Sequence, residues 1–148
     1  MAKAKEESPQ SRAIWYIGFR PIGRPLPWPW RWFIRPDFAH VMAFRFDPRL
    51  SEWIFVEWSG MTVFVEVWPG ENMDGLFTLL KHEGALISYE AESHLSEWKF
   101  RMPFYCVSWV KHLLSLRGCA AVTPYQLFCA LKKRGGTVIF EDGRSTIE

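Results

Sequence analysis

The chain has 148 residues, of which 49% are hydrophobic, 23% charged and 17% aromatic, and its formal net charge is +2. This length fits one domain, the apolar fraction excludes a disordered chain, and the balanced charge argues against a dedicated nucleic-acid binder. No apolar run approaches the roughly 18 residues that a membrane-spanning helix needs. No apolar segment follows the N-terminal lysines, so we expect no signal peptide and no transmembrane segment.

The N-terminal quarter of the chain predicts a tail, a strand and a long loop. Residues 1–12 are polar and are expected to form a disordered tail. Residues 13–19 are rich in β-branched and aromatic side chains, which predicts a strand. Five prolines between residues 21 and 36 exclude a helix and a central strand, so residues 20–37 are expected to form an extended loop.

The middle of the chain predicts antiparallel strands. Strands are expected at 39–46 and 52–58, joined by a turn at 47–51, and a third follows at 61–67. A short helix, a further strand and one more short strand are then expected at 75–82, 86–91 and 98–102.

The last third is expected to be mainly helical. Apolar residues at helical spacing predict a mostly buried helix at 106–117 that Gly118 ends. Thr123 and Pro124 are suited to open a second helix at 125–133, and a strand is expected at 137–140. These elements predict a single α+β domain over 13–148, with an antiparallel sheet and helices towards the C-terminus.

Among the predicted strands and helices, two residues have side chains suited to thiol chemistry. They are His40 at the start of a strand and Cys106 at the start of a helix. A thiol at a helix N-terminus lies against unpaired backbone N–H groups and the positive end of the helix dipole, which both favour the thiolate. An imidazole facing that terminus can act as general base. The same N–H groups can bind the oxyanion of an acyl-transfer intermediate. The pair therefore predicts a nucleophilic cysteine site.

Glu57 is the candidate for a third group that orients the imidazole, because it lies on the neighbouring strand inside an apolar run, 53–58. A carboxylate buried in such a run is costly unless it is paired. Counting outward from the turn pairs His40 with Trp58, so this simple register places Trp58, and not Glu57, on the face of His40. A one-residue bulge or a different turn would bring Glu57 onto that face.

Structural roles are the alternative for these three residues. A free cysteine usually behaves as a small buried hydrophobe, and a single His at a strand start is more often structural than catalytic. A Glu near a strand end is usually solvated. On this alternative the thiol is inert.

The order of these residues resembles that of the circularly permuted branch of the NlpC-like, papain-fold cysteine peptidases, which the lecithin:retinol acyltransferase family shares. In these proteins a His on the first strand of a meander precedes a polar residue on the next strand and a Cys that opens a late helix. The matching segments lie within about residues 38–118 and are 39–44 (AHVMAF), 53–58 (WIFVEW) and 105–111 (YCVSWVK). The resemblance implies a permuted papain-like fold.

Carried over by position, the resemblance implies Cys106 as nucleophile, His40 as base and Glu57 as the orienting group. Such enzymes often have His, Asn, Gln or Asp in the third place. The implied activity is that of a cysteine peptidase or amidase, which cleaves an amide or ester bond without a cofactor. These families act on peptidoglycan stem peptides, isopeptides or lipid acyl groups, so the implied partner is a peptide or peptidoglycan-like substrate.

Residues 106–114 and 122–127 also resemble small proteins encoded by tailed bacteriophages and their proviruses. This likeness implies a protein of the cytoplasm of the producing cell, or one associated with a virion. The alternative function is accordingly a virion or tail component without enzymatic activity, which keeps the fold and docks phage structural proteins.

The loop at 27–33 (PWPWRWF) is the candidate partner-binding segment, through Trp28, Trp30, Arg31 and Trp32. Trp and Arg are frequent interface anchors, and Trp also suits a membrane–water boundary, although the prolines prevent an amphipathic helix. The alternative is that these rings cover the core. A nucleic-acid role through Trp stacking has less support, because residues 37–148 carry a net charge of −3 against +5 for residues 1–36.

Metal binding is not expected. The four histidines and three cysteines show no metal-ligand spacing, and the absence of a CxxC pair favours reduced thiols. His82 and His94 are expected to be surface residues.

Overall fold

The computed structural model describes residues 12–23, 25–26, 28–59, 62–92, 105–141 and 144–145. It is an α+β protein, as the sequence predicts. Arg12, expected at the end of a disordered tail, is instead the first residue of a strand. The rest of the tail, the strand expected at 98–102 and His94 lie outside the described residues.

The described residues form one antiparallel sheet of seven strands, which are β1 (Arg12–Arg20), β2 (His40–Asp47), β3 (Glu52–Ser59), β4 (Thr62–Pro69), β5 (Ala85–Glu92), β6 (Thr137–Glu141) and β7 (Arg144–Ser145). Their order in the sheet is β4-β3-β2-β1-β5-β6-β7. The predicted meander is present as three consecutive neighbours, β2, β3 and β4, and β1 lies beside β2 in the centre of the sheet.

Three helices cover the two faces of this sheet. They are α1 (Asp74–Glu83), α2 (Cys106–Leu113) and α3 (Pro124–Lys133). Because side chains alternate along a strand, β2 contributes to both layers. Met42 and Phe44 pack with Leu80 of α1, whereas Val41 and Ala43 belong to the core formed with α2 and α3. Within the described residues, no helix is long and apolar enough to cross a membrane.

The β2–β3 register differs by one residue from the simple count. The turn has four residues, 48–51, because Ser51 adopts a left-handed φ of 55° and Asp47 pairs directly with Glu52. The side chain of Asp47 also accepts a hydrogen bond from the Arg49 N–H at 2.9 Å. This register places Glu57 opposite Met42, and hence on the strand face that His40 shares.

Helix α2 ends earlier than the sequence pattern predicts. Ser115 takes up the left-handed conformation, with φ of 52°, directly after the last turn. Its N–H donates to the carbonyl of His112, and the Leu116 N–H donates to the carbonyl of Lys111. These two bonds form the Schellman arrangement that ends a helix. The apolar spacing that continues to residue 116 therefore belongs to a buried loop residue, Leu116, and not to the helix.

Candidate active site

The N-terminus of α2 is fixed by a serine one turn into the helix. The Tyr105 N–H donates to Ser108 Oγ at 3.0 Å, and the Ser108 hydroxyl donates to the Tyr105 carbonyl at 2.8 Å. The extended backbone of Tyr105 then leads directly into Cys106, the first residue of the helix. Cys106 is thereby held where the N–H groups of the first turn have no partner within the helix.

His40 is in contact with the carboxylate of Glu57. Its Nε2 lies 2.8 Å from Glu57 Oε1, and the two side chains are only 13% and 18% exposed. The contact is a short ion pair between the imidazolium and the carboxylate. Glu57 pairs across the strands with Met42, two residues beyond His40, so the contact is diagonal and needs a side chain as long as Glu.

His40 also forms a hydrogen bond with Cys106. Helix α2 packs on the face opposite to that of Glu57, through Val107 and Val110. The two layers nevertheless meet at this point, because His40 is the first residue of its strand and Cys106 the first residue of its helix. The structure thus brings together the three residues that the sequence singled out.

The protonation of His40 is shifted strongly by these contacts. Burial lowers its pKa, but the hydrogen bond with Cys106, the contact with Glu57 and the negative charges of both partners outweigh burial and raise the pKa from 6.5 to about 9. The imidazolium is therefore the favoured form at neutral pH.

The carboxylate of Glu57 is held ionised. Contact with His40 lowers its pKa below the usual 4.5, and this effect, with the charges of His40 and Arg20, exceeds the opposing effect of burial. Tyr105 shifts the other way, because burial and the negative charge of Cys106 raise its pKa above 10.0. Its phenol therefore stays neutral over the range in which His40 titrates.

Arg20 is a member of this site that sequence reasoning missed. Its Nη2 lies 3.0 Å from the Glu57 Oε1 that also contacts His40. Arg20 is the last residue of β1 and pairs across the strands with His40. In the sequence, Arg20 is only the residue that follows the strand expected at 13–19. Which strand lies beside it depends on the order of the strands in the sheet.

An open groove of about 370 Å³ lies on the far side of Glu57. Arg20, Glu57 and Glu66 supply its charged groups, and the rest of its lining is mainly apolar, with Phe64 and Trp68 from β4. Neither His40 nor Cys106 lines it. Of the three residues His40, Glu57 and Cys106, the groove is thus lined by Glu57 alone. Cys106 lies towards the face of the sheet that α2 and α3 cover.

The remaining candidates do not join this cluster. Cys119 and Cys129 are half-buried free thiols like Cys106, but they do not contribute to the pKa shift of His40. His82 is exposed, as expected. In the part of the chain that the structure describes, no group of three or more His, Cys, Asp or Glu side chains could hold a metal ion.

The tryptophan loop, which we define as residues 28–33, does not cover the core. Trp28, Trp30, Trp32 and Phe33 are 71%, 58%, 74% and 71% exposed. The expectation that these rings shield apolar side chains is wrong for this segment, since Phe38, five residues further on, fills that role and is 1% exposed. The rings of the loop are instead presented to solvent.

Comparison with known proteins found no relative of this chain. No protein-family model matches the chain, and neither the curated proteins nor the solved structures yield a match to it.

Proposed function

We propose that this protein is a thiol hydrolase that cleaves an amide or ester bond, with Cys106 as nucleophile and His40 as its acid–base partner. The observation that carries the proposal is the position of His40, which is hydrogen-bonded to Cys106 and lies 2.8 Å from Glu57. A thiol in contact with an imidazole, which is itself in contact with a carboxylate, is the arrangement by which cysteine hydrolases activate sulfur.

The reaction begins with attack of the Cys106 sulfur on the carbonyl carbon of the substrate. A C–S bond forms, the carbonyl oxygen becomes an oxyanion, and the first N–H groups of α2 are placed to bind it. The His40 imidazolium donates its proton to the leaving nitrogen or oxygen as the C–N or C–O bond breaks, which leaves a thioester. Neutral His40 then takes a proton from water, the hydroxide adds to the thioester, and the carboxylic acid product leaves as the thiolate is restored.

Glu57 acts in this scheme as a positioning residue. It fixes the imidazole ring through Nε2 and favours the imidazolium that forms after deprotonation of the thiol. Arg20 contacts the same oxygen, so the carboxylate keeps one cationic partner when His40 gives up its proton. Arg20 therefore favours the ionised form of Glu57 during both the formation and the hydrolysis of the thioester.

We infer a circularly permuted papain-like arrangement from the order His40, Glu57, Cys106 along the chain, with the first two on neighbouring antiparallel strands and the third at a helix start. Two features of this fold go beyond the order and placement of these three residues. The strand β1 lies between the meander and β5, and α2 packs on the sheet face opposite to Glu57.

The test is the rate of alkylation of each cysteine by iodoacetamide, measured by peptide mass spectrometry. Cys119 and Cys129 are internal controls, because all three thiols are half-buried. We expect Cys106 to react at least about tenfold faster than either control at neutral pH, and to lose this advantage in His40→Gln. Equal rates for the three thiols in the folded protein would rule out the nucleophilic role.

A screen of amide and ester substrates follows from a positive result. Peptidoglycan-like peptides, isopeptides and acyl esters are each tested with the wild type and with Cys106→Ser. This variant keeps a side chain of similar size. Turnover that persists at full rate in Cys106→Ser would assign the activity to another group or to a contaminant.

A further inference from the structure

The tryptophan loop presents an unusually large aromatic surface. Four large aromatic side chains within six residues are each more than half exposed, in a protein whose core is otherwise rich in buried Phe. Single exposed apolar residues are normal on a protein surface, but a contiguous group of large rings is typical of a docking site. The proposed hydrolase chemistry makes no use of these rings.

Part of the backbone of the loop is hydrogen-bonded within the loop itself. A 3-10 turn spans Trp30–Trp32, and the Trp32 N–H donates to the Pro29 carbonyl at 3.1 Å. The N–H groups of Phe33 and Ile34 both donate to the Trp30 carbonyl at 3.0 Å. Pro29 has no N–H to satisfy. These three N–H groups therefore stay paired when the loop leaves water for an apolar medium, where unpaired backbone groups are costly.

The base of the loop is fastened to the core. The guanidinium of Arg35 lies 4.1 Å from the ring centre of Tyr125 and 5.3 Å from that of Phe38. Phe38 in turn packs against Phe19 and Phe128, with ring centres 5.6 and 5.2 Å away. The exposed rings are thus carried on a fixed support, so that ordering the loop on binding costs little entropy.

The charge around these rings favours an anionic partner. Arg31 is exposed between Trp30 and Trp32. The connection that carries the loop, residues 21–39, has three arginines and a single acidic residue, Asp37, in its sequence. Basic side chains beside a membrane surface are attracted by anionic lipids.

We propose that the tryptophan loop docks onto the surface of an anionic lipid bilayer. Its aromatic rings insert at the headgroup level, where Trp is favoured, and Arg31 binds lipid phosphate. A fluid bilayer accepts protruding rings without a matching pocket, whereas a protein partner would need concave sites for all four. Loop and thiol site lie at the same end of the sheet, since residues 21–39 join Arg20 to His40. The docking does not depend on the proposed hydrolase activity.

The experiment is sedimentation of the full chain with phosphatidylcholine vesicles, with and without phosphatidylglycerol, at low and high salt. We expect binding to the anionic vesicles that salt weakens. The double variant Trp30→Ser, Trp32→Ser should lower the partition coefficient at least about tenfold, and Arg31→Gln about fivefold. The matched control is Leu50→Ser, Val122→Ser, which removes two apolar side chains that are 60% and 58% exposed outside the loop. This control should bind as the wild type does.

Several outcomes would overturn the proposal. They are absence of wild-type binding to anionic vesicles, unchanged binding of the Trp30→Ser, Trp32→Ser variant, and an equal loss in the control. A protein interface would instead appear as a wild-type oligomer in light scattering that the loop variant dissociates, without vesicle binding. Circular dichroism checks that the variants fold. Should the loop variant unfold, quenching of wild-type Trp fluorescence by brominated lipids decides, and its absence would refute insertion.

Discussion

Arg20 and His40 lie opposite each other in the β1–β2 pairing, and both side chains contact the same carboxylate oxygen of Glu57, at 3.0 and 2.8 Å. Glu57 Oε1 thus contacts one group that is always charged, Arg20, and one that titrates, His40. When His40 loses its proton, Arg20 still compensates the charge of Glu57. The pair therefore allows the imidazole to change protonation while the carboxylate stays ionised, which is what an acid–base partner of a thiol requires.

Glu57 is expected to set the titration of His40. In Glu57→Gln the imidazolium loses both a contact and a negative charge while it remains buried, so the pKa of His40 should fall from about 9. The measurement is the pH dependence of the His40 ring signals by NMR. Glu66→Gln is the matched control, because Glu66 lines the same groove but bonds to the Trp68 indole at 2.8 Å. An unchanged His40 titration in Glu57→Gln would contradict the assigned ion pair.

Cys106→Ser is expected to abolish the proposed hydrolysis while the protein still folds. Oxygen replaces sulfur at a half-buried helix start, so the packing changes little, but an alcohol is far less ionised than a thiol at neutral pH. Activity and thermal unfolding are measured on the same samples. Cys129→Ser, also half-buried and located in α3, is the control and should keep full activity.

The stability of the fold is expected to fall as the pH rises above neutrality. The pKa of His40 is raised from 6.5 to about 9, so its contribution is complete below pH 6.5 and is lost as the pH rises through 9. This difference in pKa corresponds to at most about 3 kcal/mol. The lowered pKa of Glu57 works in the other direction, since its contribution is present above pH 4.5 and is lost as the pH falls below that value.

Urea unfolding at about pH 6 and about pH 10 measures this change. His40→Gln should show a smaller loss between the two pH values, because the other titrating groups are common to both proteins. An equal loss in wild type and variant would show that His40 does not carry the effect.

Ser108 is expected to stabilise the start of α2. Ser108→Ala removes the acceptor of the Tyr105 N–H and the donor to the Tyr105 carbonyl, and should cost about 1 kcal/mol of unfolding free energy. Because this clamp also fixes Cys106, its alkylation rate should change as well. Ser88→Ala is the control, since the Ser88 hydroxyl forms only a long bond of 3.4 Å to Thr137, and it should be nearly neutral. Equal effects of the two variants would exclude a specific clamp.

Gly84 is expected to be irreplaceable at the junction of α1 and β5. A Cβ at this position would overlap the carbonyl oxygen of Phe19, which is backbone and cannot turn aside. Gly84→Ala should therefore cost more than about 3 kcal/mol. In Gly75→Ala the new methyl meets nothing within 4 Å and lies in the first turn of helix α1, so this control should lose no stability. Equal melting temperatures for the two variants would refute the clash.

The amino-acid sequence by itself determined the kinds of element and the three candidate residues. Alternating and helical apolar spacing predicted the meander and the two late helices, because burial requires those periods in any fold. The start of α3 was also local, since Thr123 accepts from the Gln126 N–H at 3.2 Å as its capping pattern predicts. Likewise, the placement of Cys106 at a helix start follows from residues next to it in the chain.

The tertiary structure alone decided whether these residues could act together. Glu57 faces His40 because Ser51 takes a left-handed turn and shifts the register by one residue, a choice that reverses every side chain of a strand. Contact between His40 and Cys106, 66 positions apart in the chain, depends on how α2 packs across the sheet end. Arg20 joined the site only through the sheet order, and the exposure of the tryptophan loop depended on Phe38 filling the core below it. Such relationships arise from long-range packing, which apolar periodicity does not encode.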